Sequence, residues 1–215
     1  MKSYIVIGLG RFGSEVSRRL CQLGCEVLAL DTDAELVQAI SNDVTHAVVA
    51  DGRDKGVLRA LGAADFDCAI VAIGDSLASS VLATMNLKEL GVPKIVCKAR
   101  DETYRQVLRK LGADQIVIPE QEHAYRLARS LSSQNVLDYI ELSEDYGIID
   151  LPAPYSWTGK NLRELNVRAK VGVNILAIKK DNKINVSPAA DYIIEYGDIL
   201  VILGDTAALK AVQKL

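Results

Sequence analysis

The chain has 215 residues, room for one full domain and a smaller one, and its 49% hydrophobic and 25% charged content is that of an ordinary soluble globular protein. A net charge of -3, with no Lys/Arg cluster longer than a pair, argues against nucleic acid as a partner. No apolar run reaches the roughly 18 residues of a membrane span, and the chain opens on a buried-type strand rather than a signal-peptide pattern, so a cytoplasmic protein is expected.

The first element is the most informative. YIVIGLGRFGSEV, Tyr4 to Val16, runs from an apolar strand through Gly8, Gly10 and Gly13 into a helix. Gly8 suits the tight turn, Gly10 leaves the backbone open to a pyrophosphate, and Gly13 allows the helix to pack closely on the strand. Phosphates would rest on the helix N-terminus, where free N–H groups and the macrodipole favour an anion. The next apolar run, EVLAL, closes on Asp31, 18 residues after Gly13, where a carboxylate accepts ribose hydroxyls and repels a 2′-phosphate. The pattern therefore predicts a site for a pyrophosphate and its ribose and disfavours NADP.

The pair Leu-Gly recurs at Leu23-Gly24, Leu61-Gly62, Leu90-Gly91 and Leu111-Gly112, each time after an amphipathic stretch and before an apolar run. Each reads as a helix stop with glycine in the left-handed conformation. Between them lie six nearly all-apolar strands, YIVI, EVLAL, HAVVA, CAIVAI, KIVC and QIVI, as parallel strands covered on both faces must be. The class is α/β: a Rossmann-like, doubly wound, six-stranded parallel sheet in order 3-2-1-4-5-6, with ligands outside the carboxyl ends of the strands. Those ends carry Gly8, Asp31, the Asp51-Gly52 pair, the run Ile73-Gly74-Asp75, Lys98 and Glu120. Asp51 fits either a base or ribose contact or an ordinary Asp-Gly turn. Lys98 could neutralise a phosphate or simply open a solvated loop, and Arg11 inside the glycine turn could reach a phosphate, a neighbouring subunit or solvent. The cysteines Cys21, Cys25, Cys68 and Cys97 form no Cys-x2-Cys pair and read as small buried hydrophobes.

A helix follows in PEQEHAYRLARSLSS, with Ala124, Leu127, Ala128 and Leu131 on one face. No parallel strand remains for it to cross to, so that face is expected to pack on a partner chain. Glu120 and Glu122 suit a helix N-terminus electrostatically; Glu120, which also closes the nucleotide crevice, makes equal sense as the ligand of a divalent cation bridging it to phosphates. Composition changes near Asn135, and NVLDYIELSEDYG reads as a linker to a boundary punctuated by Pro152, Pro154 and Gly159. The rest reads as a small α+β unit: helix NLREL, strands NILAIKK and KINVS joined at Asp181-Asn182, strand GDILVILG and a last helix. The domains expected are 1–134, nucleotide-binding with its crossover helix, and 135–215, linker and small α+β domain.

Together the motifs GLGRFG, LALDTD, HAVVAD, VAIGD, ADQIVIPE, LNVRAKVGVNILAIKK and YGDILVILGD resemble the KtrA-type cytoplasmic regulatory subunits of Ktr/Trk potassium uptake systems, which carry two RCK (regulator of K+ conductance) subdomains. The resemblance covers the whole chain. It implies a homo-oligomer, from dimer to octameric ring, peripheral to the membrane beneath a potassium channel or transporter subunit and reshaped by exchange of ATP and ADP. It assigns Arg11 to phosphates across a dimer interface and Asp31 to the ribose. Asp51, Gly52, Ile73, Gly74, Lys98, Arg100 and Tyr104 would line the pocket, joined by Phe12, Asp33 and Asp75 from the same motifs, and Glu120 would hold Mg2+ or Ca2+. In some members cyclic di-AMP binds the second domain, and the matching positions are Val167, Arg168, Asn174, Ile175 and Pro188. The rival readings are an NAD(H)-binding redox sensor and an NAD-dependent oxidoreductase. The oxidoreductase needs a general acid or base, yet His46 opens a strand, His123 lies in a helix first turn and no Tyr-x-x-x-Lys pair exists. The expectation is a regulator, not an enzyme.

Overall fold

The computed structural model describes all residues except Asp75, 133–137, Glu144 and Asn182. The chain divides into two compact units, Met1–Glu122 and His123–Leu215.

The first unit alternates strand and helix: β1 (Ser3–Ile7), α1 (Arg11–Gln22), β2 (Glu26–Asp31), α2 (Ala34–Ile40), β3 (His46–Val49), α3 (Lys55–Ala60), β4 (Cys68–Val71), α4 (Leu77–Leu90), β5 (Ile95–Lys98), α5 (Glu102–Lys110) and β6 (Gln115–Val117). A sixth helix, α6 (Pro119–Ser132), runs across the division between the units. The six strands are parallel in the order β3-β2-β1-β4-β5-β6, as expected. Alternation along the strands separates two cores. Ile5, Ile7, Leu28, Leu30, Ala69, Val71 and Ile95 face Leu58, Leu87 and Leu108 from α3, α4 and α5. Val6, Val27, Ala29, Cys68 and Ile70 face Phe12, Val16, Val37 and Ile40 from α1 and α2. Burial on both faces is why these strands are apolar throughout. The four Leu-Gly stops share one backbone solution, with φ of 79, 68, 83 and 97° at Gly24, Gly62, Gly91 and Gly112.

The second unit comprises β7 (Asp138–Glu141), β8 (Tyr146–Pro152), α7 (Leu162–Leu165), α8 (Val167–Val171), β9 (Asn174–Lys180), β10 (Lys183–Val186), β11 (Ile199–Asp205) and α9 (Thr206–Val212). Its antiparallel sheet runs β10-β9-β11-β8-β7 over a core of Ile149, Leu151, Trp157, Ile178, Ile194, Leu200 and Ile202, covered by Leu209 and Val212 of α9. Here the reading of the sequence needs correction. The stretch expected to be a linker supplies two strands, with Tyr139 opposite Ile149 and Ile140 opposite Ile148. Pro152 ends β8 rather than opening a boundary. The missed signal is period-two alternation: Gly147, Ile149 and Leu151 are buried in turn along β8, and a Cβ at Gly147 would collide with the Tyr139 ring. The expected helix NLREL is α7, and a further short helix, α8, follows it through Asn166 in the left-handed conformation (φ 44°).

The glycine turn allows a direct contrast. A Cβ on Gly13 would overlap the Gly8 carbonyl oxygen, whereas a Cβ on Gly10 would meet nothing within 4 Å. Gly13→Ala should therefore destabilise the protein by about 1–3 kcal/mol through overpacking, and Gly10→Ala should leave folding nearly unchanged. Urea unfolding of the two variants checks this, and equal midpoints would contradict the packing role of Gly13.

Candidate functional site

The carboxyl ends of β1 to β4 open on a cavity of about 390 Å³. Its floor is the glycine turn. Gly8 has φ 97°, and a Cβ there would press on the Ala72–Ile73 peptide at 3.1 Å. The Gly8 N–H donates to the Leu30 carbonyl (2.9 Å), tying the turn to β2. Asp31 completes the tie: its Oδ2 accepts the Leu9 N–H at 2.6 Å and its Oδ1 accepts the Asp33 N–H at 3.0 Å. The carboxylate expected at the ribose thus also holds the turn in shape. Beyond Gly10 starts α1, with no side-chain cap and no acidic residue in its first turn. By contrast α2, α3, α4 and α5 are capped by Asp33, Asp54, Ser76 and Asp101. The orphan N–H groups of α1 and the open space at Gly10 are the features a phosphate needs.

Of the expected site residues, Gly8, Gly10, Asp31, Asp33, Gly52, Ile73 and Gly74 line this cavity. Asp33 caps α2, its Oδ1 accepting the Glu35 N–H at 2.8 Å. Gly52 is sterically required, since a Cβ there would overlap Ile7 Cγ2. Gly13 lies beneath the turn, and Asp75 falls outside the described residues. Asp51 is engaged by its neighbour Arg53, which donates to it from Nη2 (2.7 Å), Nε (2.8 and 3.1 Å) and the main-chain N–H (2.9 Å). Those hydrogen bonds hold the Asp51 carboxyl below the ordinary carboxylate range. The cavity also takes in Thr32, Leu36, Arg53, Ser76 and Ser79, which the sequence reading missed. The signal for Arg53 was available in the run Asp51-Gly52-Arg53: a cation two residues beyond a strand-end carboxylate can fold back on it.

A second group gathers beyond β4. Lys98 Nζ donates to Glu120 Oε1 at 2.7 Å and stands 5.9 Å from the centre of the Phe12 ring. The Lys98 side chain is only 15% exposed and that of Glu120 is 64% exposed, so the lysine is built in and the carboxylate comes to it. Hydrogen bonding from Lys98, then the helix-start backbone, and the charges of Lys98 and Arg11 hold the Glu120 carboxyl below its ordinary range. Arg100 pairs with Asp101 (3.2 Å) and lies 4.8 Å from the Tyr104 ring. Gly74 links this group to the cavity, its would-be Cβ being 3.6 Å from Lys98 Nζ. Among the described residues no three His, Cys, Asp or Glu side chains are grouped to hold a metal ion. A cation at Glu120 would therefore need ligands from phosphate, water or another subunit, and would compete with Lys98.

The positions expected for cyclic di-AMP are spread over α8, the start of β9 and the segment after β10. The Val167 side chain belongs to the second core, Ile175 packs against it, Arg168 and Asn174 are exposed, and Pro188 is half-buried after Ser187 with φ 55°. A ligand there would meet Val167 through its backbone.

Comparison with known proteins matches the TrkA-N domain over residues 4–119 and the TrkA-C domain over residues 148–215. The chain is 43% identical over 213 residues to the Ktr system potassium uptake protein C of Bacillus subtilis, covering 99% of this chain and 96% of that protein. It is 44% identical over 209 residues to the Ktr system potassium uptake protein A of the same organism, covering 97% and 94%. Among solved structures, the GsuK channel superposes with a TM-score of 0.70 at 19% identity; the match covers all of this chain but 39% of that longer one, and the likeness is of fold. No helix among the described residues is long and apolar enough to cross a membrane.

The Lys98–Glu120 pair makes a pH prediction. Because the folded-state pKa of Glu120 is depressed, the pair stabilises the fold above the unfolded carboxylate range and loses that effect as pH falls through the folded value. Exposure of Glu120 keeps the effect small and salt-sensitive. In a carboxyl-resolved NMR titration, Glu120 should titrate below an ordinary glutamate and move back up in Lys98→Met. An unshifted titration in the unaltered protein would remove the pair.

Proposed function

We propose that this chain, which belongs to the family of Ktr system potassium uptake proteins and is built of a TrkA-N and a TrkA-C domain, is the nucleotide-responsive regulatory subunit of a potassium transporter. The observation that carries the nucleotide part is the uncapped N-terminus of α1 facing open space at Gly10, beside Asp31. In this reading the nucleotide domain extends through the crossover helix to residue 134, and 135–215 is the second regulatory domain. ATP and ADP compete for one crevice: phosphates over the turn and α1, ribose at Asp31. The terminal phosphate of ATP lies toward Lys98 and Glu120, where Mg2+ or Ca2+ joins it to the glutamate and Arg11 of a neighbouring subunit adds attraction. Cyclic di-AMP, acting through Arg168, Asn174 and the other positions of the second domain, is a further input.

Regulation requires assembly. Leu127 and Leu131 on α6 are 56% and 76% exposed, and Ala124 and Ala128 on the same face are also exposed. That stripe suits the same helix of a second copy, with dimers joining into a ring of up to eight copies. The protein works in the cytoplasm and reaches the membrane through its transporter partner.

The described residues of the cavity lining offer hydrogen-bonding and backbone groups suited to holding a ligand, and the full-length relatives are potassium uptake proteins, which supports reading the chain as a sensor. NAD(H) is the second reading, because the Asp31 end of the crevice accepts the same adenosine diphosphate portion.

Calorimetric titration with ATP, ADP, NAD+ and NADH ranks the ligands. Asp31→Ala should weaken ADP and ATP by roughly ten- to a hundredfold, the worth of hydrogen bonds to a charged group, and undiminished binding would remove Asp31 from the site. A divalent cation should strengthen ATP more than ADP, and Glu120→Gln should abolish that difference. If it persists in the variant, Glu120 is an ordinary helix-start carboxylate.

Light scattering of the purified chain at micromolar concentration should give a dimer or larger, and Leu127→Glu with Leu131→Glu should shift it toward monomer. A monomeric unaltered protein would defeat the ring.

A further inference from the structure

The order of strands arranges the cavity in the order of a nucleotide's own parts. From the β1 turn, which offers phosphate-binding N–H groups, one strand over is Asp31 at the end of β2, and one strand further is the loop after β3. Adjacent strands stand ~4.8 Å apart, so a ligand with phosphate on the turn and ribose at Asp31 carries its base to the third position. What waits there is Arg53, with Leu36 also in the lining.

Arg53 is fixed to an unusual degree for a half-exposed arginine. Its N–H and guanidinium are bonded to Asp51, and its carbonyl accepts Asn86 Nδ2 from α4 at 2.7 Å. The main chain is thereby held from both sides and the Nε–Nη2 edge of the planar head is turned to Asp51. The Nε and Nη2 edge is occupied by the carboxylate, which also cancels the charge, so a phosphate gains little from this group. The face of the plane remains, and a planar guanidinium face stacks on an aromatic ring.

We propose that Arg53 is the residue that contacts the nucleotide base, by stacking, and that Asp51 is its positioning residue rather than a ligand contact. This rests on the nucleotide reading of the same crevice. It assigns Asp51 a different role from the one expected from the sequence, and it predicts preference for large aromatic bases without hydrogen-bond readout from this side chain.

The test uses the full chain and competition titrations with ADP, UDP and inorganic pyrophosphate, with folding of each variant checked by circular dichroism. Arg53→Ala should weaken ADP about tenfold, weaken UDP less and leave pyrophosphate unchanged, so the ADP-to-UDP ratio falls. Arg53→Lys should behave like Arg53→Ala, because an ammonium has charge but no plane. Asp51→Asn should lower ADP affinity only while Arg53 is present, so the double variant matches Arg53→Ala. An unchanged ADP-to-UDP ratio, full rescue by lysine, or a parallel loss of pyrophosphate would overturn the stacking role. Failure of the unaltered protein to bind any adenine nucleotide would instead overturn the nucleotide reading itself.

Discussion

The link between the Asp31 carboxylate and the Leu9 N–H, 2.6 Å long and spanning 22 residues of chain, is the constraint on which the site depends. It joins the end of β2 to the glycine turn at the point where the chain leaves β1, and the Gly8 N–H to Leu30 bond runs beside it. With the turn held there, the Gly8 carbonyl abuts Gly13 and α1 can approach the sheet only if residue 13 lacks a side chain. The helix axis, and with it the direction of the uncapped N–H groups, follows from those contacts. Asp31 is therefore a structural acceptor before any ligand arrives. Each carboxylate oxygen has a second lone pair, so holding the turn and receiving a ribose hydroxyl are compatible.

Charge around the cavity follows a second rule. The carboxylates flanking it are already matched to cations of the same chain: Asp51 to Arg53 on one side, Glu120 to Lys98 on the other. Asp33 spends its charge on the N-terminus of α2. Those pairings reduce the negative charge around the cavity; Asp31 beside the turn is met by N–H groups rather than a cation, and the uncapped α1 terminus offers the positive end of a helix dipole. The two pairs are not equivalent. Arg53 and Asp51 belong to one loop and form a rigid unit, whereas Lys98 and Glu120 come from different strand ends, 22 residues apart, with a well-buried cation and an exposed anion.

Legibility in the sequence tracked how local the cause was. The six parallel strands, their order and the four Leu-Gly stops were readable because each depends on a short run: an apolar strand, a glycine with positive φ, a helix between. The turn residues and Asp31 were readable for the same reason. The β7–β8 pair was hidden because its inward positions include Gly147, which carries no apolar signal and is small in order to admit Tyr139. The Asp51 partner of Arg53 was legible two residues away, but the hold on its main chain by Asn86, 33 positions away on α4, was not. The pairing of Lys98 with Glu120 likewise needed the β5–β6 neighbour relation before either residue could be given a partner. Pairings between side chains of distant elements, such as Lys98 with Glu120, are invisible to motif spacing.

The asymmetry of the two ion pairs bears on how a signal could leave the site. A ligand shifts a conformational equilibrium only by its different affinity for the two states, so a contact made equally by ATP and ADP cannot distinguish them. Under the proposed orientation the turn, Asp31 and the Asp51–Arg53 unit would face the parts that the two nucleotides share, and would serve affinity. The Lys98–Glu120 pair stands beyond Gly74, on the side where the proposed orientation would carry an additional phosphate. Its exposed member opens α6, the helix whose apolar stripe is uncovered in the single chain. Under the proposed cation role, drawing Glu120 away from Lys98 would act at the first turn of that helix. Discrimination between nucleotides and assembly of the chain would then share one element, with the adenosine end kept deliberately indifferent.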